Sequence, residues 1–147
     1  MEDRYLYKAK RKDNGEWVVG NLITNVFFRL GQSIPYILCP DKADYDCFED
    51  FSEENGIFEV RPDTICQYTG LRDKNGKLIW EHDVVERLDI HKVGEPTVGV
   101  IEYDIENTAF IIHWLDKPNY SATFPWKEKI QVTGNKFDNP ELLESEC

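Results

Sequence analysis

Apolar and polar residues alternate with a period of two along most of this chain, in short runs separated by turn residues. Tyr5, Tyr7 and Ala9 alternate with Leu6, Lys8 and Lys10, Asp13-Asn14-Gly15 follows, and 16–22 alternates again. That pattern predicts a strand, a tight turn and a strand. Residues 23–38 are apolar with breaks. They read as two strands, 26–30 and 34–38, around Gly31-Gln32-Ser33, although periodicity alone equally fits a short buried helix for the first. Pro35 places the second strand at a sheet edge or at a strand start. Residues 40–56 change character, with seven acids against the single Lys42. They fit a variable loop, or a short helix carrying Tyr45, Phe48 and Phe51 at helical spacing. Ile57-Phe58-Glu59-Val60 reads as a short strand. The cleanest alternation comes later. Residues 97–103 run out, 104–107 turn, and 108–114 return; Thr123-Phe124 and 129–133 read as the last strands. Asn139-Pro140-Glu141 opens a short helix, with Asn139 as its cap and Pro140 in its first turn.

The strongest turn signal lies within 66–86, where Asp73-Lys74-Asn75-Gly76 separates Leu71 from Leu78, Ile79 and Trp80. An Asn-Gly pair suits a hairpin because both residues tolerate positive φ. Gly70, Asn75 and Gly76 are explained by backbone geometry, Asp73 as a turn residue and Trp80 as core. Arg72, Lys74 and Lys77 stand out at the tip. The predicted fold is therefore mainly β, with one or two short helices. An N-terminal β region spans 1–82 and includes the acidic insert at about 40–56. A small SH3-like barrel spans 83–135, with Val84, Val100, Ile112 and Ile130 pointing inward, and a short helix or tail spans 136–147. The three parts can equally form one compact unit.

Length and charge narrow the function classes. At 147 residues the chain can bury a core without staples. Its net charge of −11 opposes a general nucleic-acid binder, and plain solubility explains such acidity most simply. The first residues are charged, so neither a signal peptide nor a membrane span is expected. Cys39, Cys47, Cys66 and Cys147 include no CxxC pair, which points to free thiols in a reducing cytoplasm.

Candidate chemistry is sparse. Cys39, Cys47, Cys66, His82, His91 and His113 lack the close ligand pairs of a structural zinc site, so no metal and no cofactor is expected. Cys66, His82 and Asp83 could be assembled into a nucleophilic set, but no nucleophile elbow or oxyanion loop accompanies them. Glu81 and Asp83 share one face if they lie in a strand, and two acids beside Lys77 or Arg87 more often make a surface ion pair than a hydrolytic dyad. No phosphate-cradling glycine loop occurs. No catalytic residue is therefore assigned. Tyr68, Trp80, Trp114, Tyr120 and Trp126 could stack bases, and Lys8, Lys10, Arg11 and Lys12 cluster. Trp114, Tyr120 and Trp126 lie in the densest aromatic stretch, an interface or a barrel wall. The candidate binding residues are thus Arg72, Lys74, Lys77, Trp114, Tyr120 and Trp126.

Several strings resemble one family. Arg61-Pro62-Asp63-Thr64, then Gln67-Tyr68-Thr69-Gly70-Leu71, Asp73-Lys74-Asn75-Gly76-Lys77 with Ile79, and Asp83-Val84-Val85 are similar to the hallmark of the YopX family, proteins of phages, prophages and related elements. Val132-Thr133-Gly134-Asn135 with Asn139-Pro140-Glu141-Leu142-Leu143 is similar to its closing motif. The departure is His82, where the family usually has Gly before the Asp-hydrophobic-Val step. If that Gly serves a left-handed turn, His82 bears the cost. The resemblance implies a β-rich fold with an SH3-like barrel in the C-terminal half, permits oligomers, and carries no catalytic residue. Together with the composition it leads to the expectation of a non-enzymatic protein-interaction or assembly module in the bacterial host cytoplasm. A homo-oligomer or a protein partner is expected, and no membrane. The alternatives are a nucleic-acid-associated accessory protein acting through the barrel, and a small hydrolase.

Overall fold

The computed structural model describes residues 5–39, 56–87, 97–116 and 129–144, and the backbone of 121–122. The acidic insert, except Gly56, lies outside the described residues, as do Cys47, His91, Tyr120, Thr123, Phe124, Trp126 and Cys147. The described chain is mainly β, and its pairings are antiparallel. It divides into two compact units, residues 1–68 and 69–147.

The first unit is built on β1 (Tyr7–Lys10), β2 (Trp17–Arg29), β3 (Gln32–Leu38) and β4 (Ile57–Glu59). Their order is β4-β3-β2-β1, and β5 (Cys66–Arg72) starts beside β1, with Cys66 and Gln67 facing Lys8 and Tyr7. The sheet curls. A bridge joins Val60 to Arg11, and the Lys12 amide donates to the Glu59 carbonyl at 3.0 Å. Ala9, Val18, Ile37, Cys39, Phe58 and Val60 fill the curl. Arg61-Pro62-Asp63-Thr64 leaves β4 through a 3-10 turn over Pro62–Thr64. Buried Thr64 ties that turn down: its hydroxyl donates to the Arg61 carbonyl and accepts from the Lys10 amide.

Two expectations change here. The break expected after Leu22 is a bulge inside one 13-residue strand, between Ile23 and Phe27. Pro35 is neither at an edge nor at a strand start. It sits within β3, which pairs with β2 on one side and β4 on the other. The Pro35 carbonyl accepts from the Val60 amide at 3.2 Å, so its backbone faces the β4 side one step past the Tyr36–Glu59 pair, and its missing N–H falls at the end of that ladder.

The second unit holds a five-stranded sheet in the order β10-β9-β8-β7-β11. These are β7 (Asp83–Arg87), β8 (Val98–Asp104), β9 (Ala109–Trp114), β10 (Ser121–Ala122) and β11 (Ile130–Asn135). Val84, Val100, Ile112 and Ile130 are buried as expected. The expected barrel does not close: β10 and β11 are opposite edges and no pairing joins them among the described residues. The hairpin of β5 and β6 (Leu78–Trp80) covers the core instead. Ile79 and Leu71 pack with Val85, Ile101, Ile112, Trp114 and Ile130.

That hairpin explains why the unit begins at 69 and not at 83. The Asp73 carboxylate accepts from the Asn75 and Lys77 amides through one oxygen and from the Val132 amide through the other, each at 2.9 Å. The Lys74 amide donates to the Ile130 carbonyl at 3.0 Å. Asp73 therefore shapes its own turn and pins the hairpin to β11. The closing motif is structural too. Gly134 has no room for a side chain because the Asn139 amide occupies the space. Asn139 does not cap the 3-10 turn Pro140–Leu143; its carbonyl oxygen accepts from the Asn135 amide at 3.3 Å.

Candidate interaction surface

Beyond its bulge, β2 pairs only with β3. β1 reaches β2 over Trp17 to Gly20, and β4 reaches β3 over Tyr36 to Leu38. Residues 24–34 are thus a two-stranded arm without a further sheet neighbour among the described residues, and the Val60 amide, donating to the Pro35 carbonyl at 3.2 Å, marks where the arm begins. An isolated two-stranded hairpin is marginal in water. This one also exposes its apolar side chains: Val26 at 56 %, Phe28 at 60 % and Leu30 at 100 %. Phe27, on the other face, packs edge-on against Tyr36 with ring centroids 5.4 Å apart.

The tip is strained. Leu30 and Gly31 form the two-residue turn with φ of 53° and 80°. Two successive left-handed residues suit Asn-Gly; a leucine there carries a steric cost. Asn25, with φ of 60°, is the second left-handed position, and its amide donates to the Ser33 hydroxyl at 2.9 Å. A strained leucine that is fully exposed is a pointer to function rather than to stability.

Beside the arm runs a groove of about 410 Å³, walled by residues 29–30, 32–35 and 59–63 with Lys12. The Glu59 carboxylate lies 3.2 Å from the Arg29 guanidinium and 3.4 Å from the Lys12 ammonium. Arg61 pairs with Asp63 at 3.3 Å. Ile34, Pro35 and Pro62 supply apolar wall. A second basic surface lies on β1, where the Lys8 and Lys10 ammoniums stand 4.6 and 5.4 Å from the centre of the Trp17 ring.

The residues singled out in the sequence are placed as follows. Arg72, Lys74 and Lys77 are exposed on the β5–β6 hairpin, and the Arg72 guanidinium donates to the Gly76 carbonyl at 2.9 Å. Trp114 is fully buried in the second core, on the barrel-wall side of the two readings the sequence left open. Tyr120 and Trp126 lie outside the described residues. Tyr68 is buried. The Thr69 hydroxyl donates to the Ile79 carbonyl, and Gly70 turns the strand with φ of 88°. Gly76 takes φ of 81° alone; Asn75 does not share the left-handed geometry. The Asp83 carboxylate, 2 % exposed, accepts from the Trp80 amide at 2.8 Å.

The groups considered for catalysis are engaged in the fold. The Cys66 thiol is buried and donates to the Thr64 carbonyl at 3.2 Å. His82 has φ of 71°, so it does adopt the conformation that its usual glycine would ease. Its ring stands edge-on to Phe137, and burial, with the Lys136 charge second, lowers its pKa to about 4. Among the described residues no His, Cys, Asp and Glu cluster is arranged to hold a metal. No described helix is long and apolar enough to cross a membrane, which leaves strands aside.

The arm was missed in the sequence because Val26-Phe27-Phe28 is apolar on both strand faces, the pattern of a strand buried on both sides. The exposure of Val26 and Phe28 shows instead that one of those faces is uncovered.

Residues 6–144 match the model of a family described as YopX protein. The chain belongs to the YopX family. Among solved structures it is similar to "Crystal structure of protein EF1440 from Enterococcus faecalis", with 25 % identity and a TM-score of 0.53 over 94 % of this chain and 96 % of that one. No curated protein matches it.

Proposed function

We propose that this YopX-family chain is a phage- or prophage-type protein-interaction or assembly module, non-enzymatic and cytoplasmic, that works through the β2–β3 arm. One observation carries the reading: a hairpin with no further sheet neighbour among the described residues presents Val26, Phe28 and Leu30 to solvent, with Leu30 strained and fully exposed. Large exposed apolar side chains on a projecting element are the ordinary chemistry of a protein contact. Light scattering after size exclusion is expected to give a defined oligomer, or a stoichiometric complex with a captured host or phage protein. Phe28→Ser with Leu30→Ser should reduce that assembly at least tenfold and leave the melting temperature within about 2 °C, because neither residue contributes to a core. A strict monomer that captures nothing sinks the proposal.

A second reading, a nucleic-acid accessory role, draws support from Lys8 and Lys10 flanking Trp17. It favours the first unit over the second, where the described residues hold eleven acids against six bases.

A further inference from the structure

The charge of the first unit is segregated. Its described residues carry six basic side chains against four acidic ones, within a chain of net charge −11. The acid of this unit is concentrated in 41–54, where seven Asp and Glu meet one Lys, interleaved with Tyr45, Phe48 and Phe51. The groove beside the arm has complementary chemistry. Lys12 and Arg29 share the single Glu59 carboxylate, which leaves one positive charge in excess. Both cations are more than half exposed, so their pairing with Glu59 is worth little and yields readily to another carboxylate. Ile34, Pro35 and Pro62 offer the apolar wall that an aromatic side chain needs, and Leu30 extends it at the rim.

We propose that this groove receives the acidic, aromatic segment 41–54 of a second copy of the chain. The proposal rests on the arm-mediated assembly argued above and names the segment that the arm meets. Charge complementarity selects the occupant. Two chains of net charge −11 repel one another on average. They can associate where an acidic segment of one meets a local cationic excess of the other. The β3–β4 pairing also sets where this segment joins the fold. It connects Cys39 to Gly56, whose backbone groups meet at 2.8 Å beyond the Leu38–Ile57 end of that pairing. The groove lies at the opposite, Gln32 end of β3. The anchors of the segment, Cys39 and Gly56, thus lie at the other end of β3 from the groove. Reciprocal exchange gives a closed dimer, and one-way exchange gives a ring or a filament.

The test titrates a labelled peptide of residues 40–55 with the full-length protein and follows fluorescence anisotropy, beside light scattering of the protein alone. Saturable binding is expected, weakening at least tenfold between 50 and 300 mM salt by the general screening of exposed charge. Lys12→Glu with Arg29→Glu should abolish it, and the milder Arg29→Gln should weaken it several-fold; unchanged circular dichroism melting guards against misfolding. A peptide with its acids replaced by Asn and Gln should not bind. Binding that survives this neutralisation, or that is indifferent to Lys12 and Arg29, overturns the proposal. An oligomer that persists in Lys12→Glu/Arg29→Glu without peptide binding overturns the groove assignment and leaves the arm reading intact. A monomer at every concentration, with no peptide binding, overturns both. Peptide binding that appears only when the protein's own 41–54 acids are neutralised, in a protein that stays monomeric, places the segment on its own groove and overturns the second-copy assignment.

Discussion

At the scale of single residues, the family motif resolves into backbone carpentry. Asp73 is the clearest case. Three backbone amides converge on one carboxylate that is 6 % exposed, and one of them comes from β11. Hydrogen bonds to a charged acceptor are worth more than neutral ones. Asp73→Ala should therefore cost about 3 kcal/mol in urea unfolding, and Asp73→Asn about half of that, because the amide keeps an acceptor for its own turn. Equal losses for the two variants would show that the β11 bond contributes the greater part. His82 tests a different term. Its folded pKa of about 4 lies below the usual 6.5. The unfolded chain therefore binds a proton that the folded chain refuses between those values. The stability is fully present above pH 6.5 and drains as pH falls toward 4, by on the order of 1–2 kcal/mol once partial exposure is allowed for. His82→Gly removes this loss and relieves about 1 kcal/mol of left-handed strain, less the edge contact with Phe137. The variant's advantage in chemical denaturation should be small at pH 7 and grow on acidification. A constant difference across that range would place the titration elsewhere.

At the scale of elements, the hairpins were legible and their surroundings were not. The turns at Asp13-Asn14-Gly15, Asp73 to Gly76 and 104–107 are written in residues that make a turn locally, and all three are present. In the last, Asp104 accepts from the Glu106 and Asn107 amides, and its carboxyl is held below the usual range chiefly by the Asn107 side chain. Whether a strand has a neighbour is a non-local matter. Thus Pro35 read as an edge marker although it lies inside a sheet opposite a bulge, and Trp114 read equally as interface or barrel wall although it is core. The arm turns this into a prediction with two opposed signs. Leu30-Gly31 occupies a turn that prefers Asn-Gly. Leu30→Asn should stabilise the isolated chain by about 0.5–1 kcal/mol by relieving the strain, and should weaken assembly, because the exposed anchor is gone. Higher thermal stability with unchanged association would separate Leu30 from the contact.

At the scale of the molecule, the question is which surface an anionic partner could use. The sequence suggested the barrel, since a small barrel can host nucleic acid, and set Arg72, Lys74 and Lys77 apart at a hairpin tip. The distribution of charge argues otherwise. Those three cations sit in a unit whose described residues are acidic by five charges, and the Arg72 guanidinium already donates to its own turn. Lys8 and Lys10 sit in a unit whose described residues carry a positive excess, both beside the Trp17 ring. Field and stacking surface coincide there. A mobility shift with single-stranded oligonucleotide at low salt should consequently be abolished by Lys8→Glu with Lys10→Glu, and be unchanged by charge reversal at Arg72, Lys74 and Lys77. With so few phosphate contacts, any such shift should vanish by 150 mM salt, which would mark it as an electrostatic by-product of the basic face. Retention at that salt, with a dependence on Lys8 and Lys10, would instead promote nucleic acid over protein as the partner class and displace the arm as the main surface.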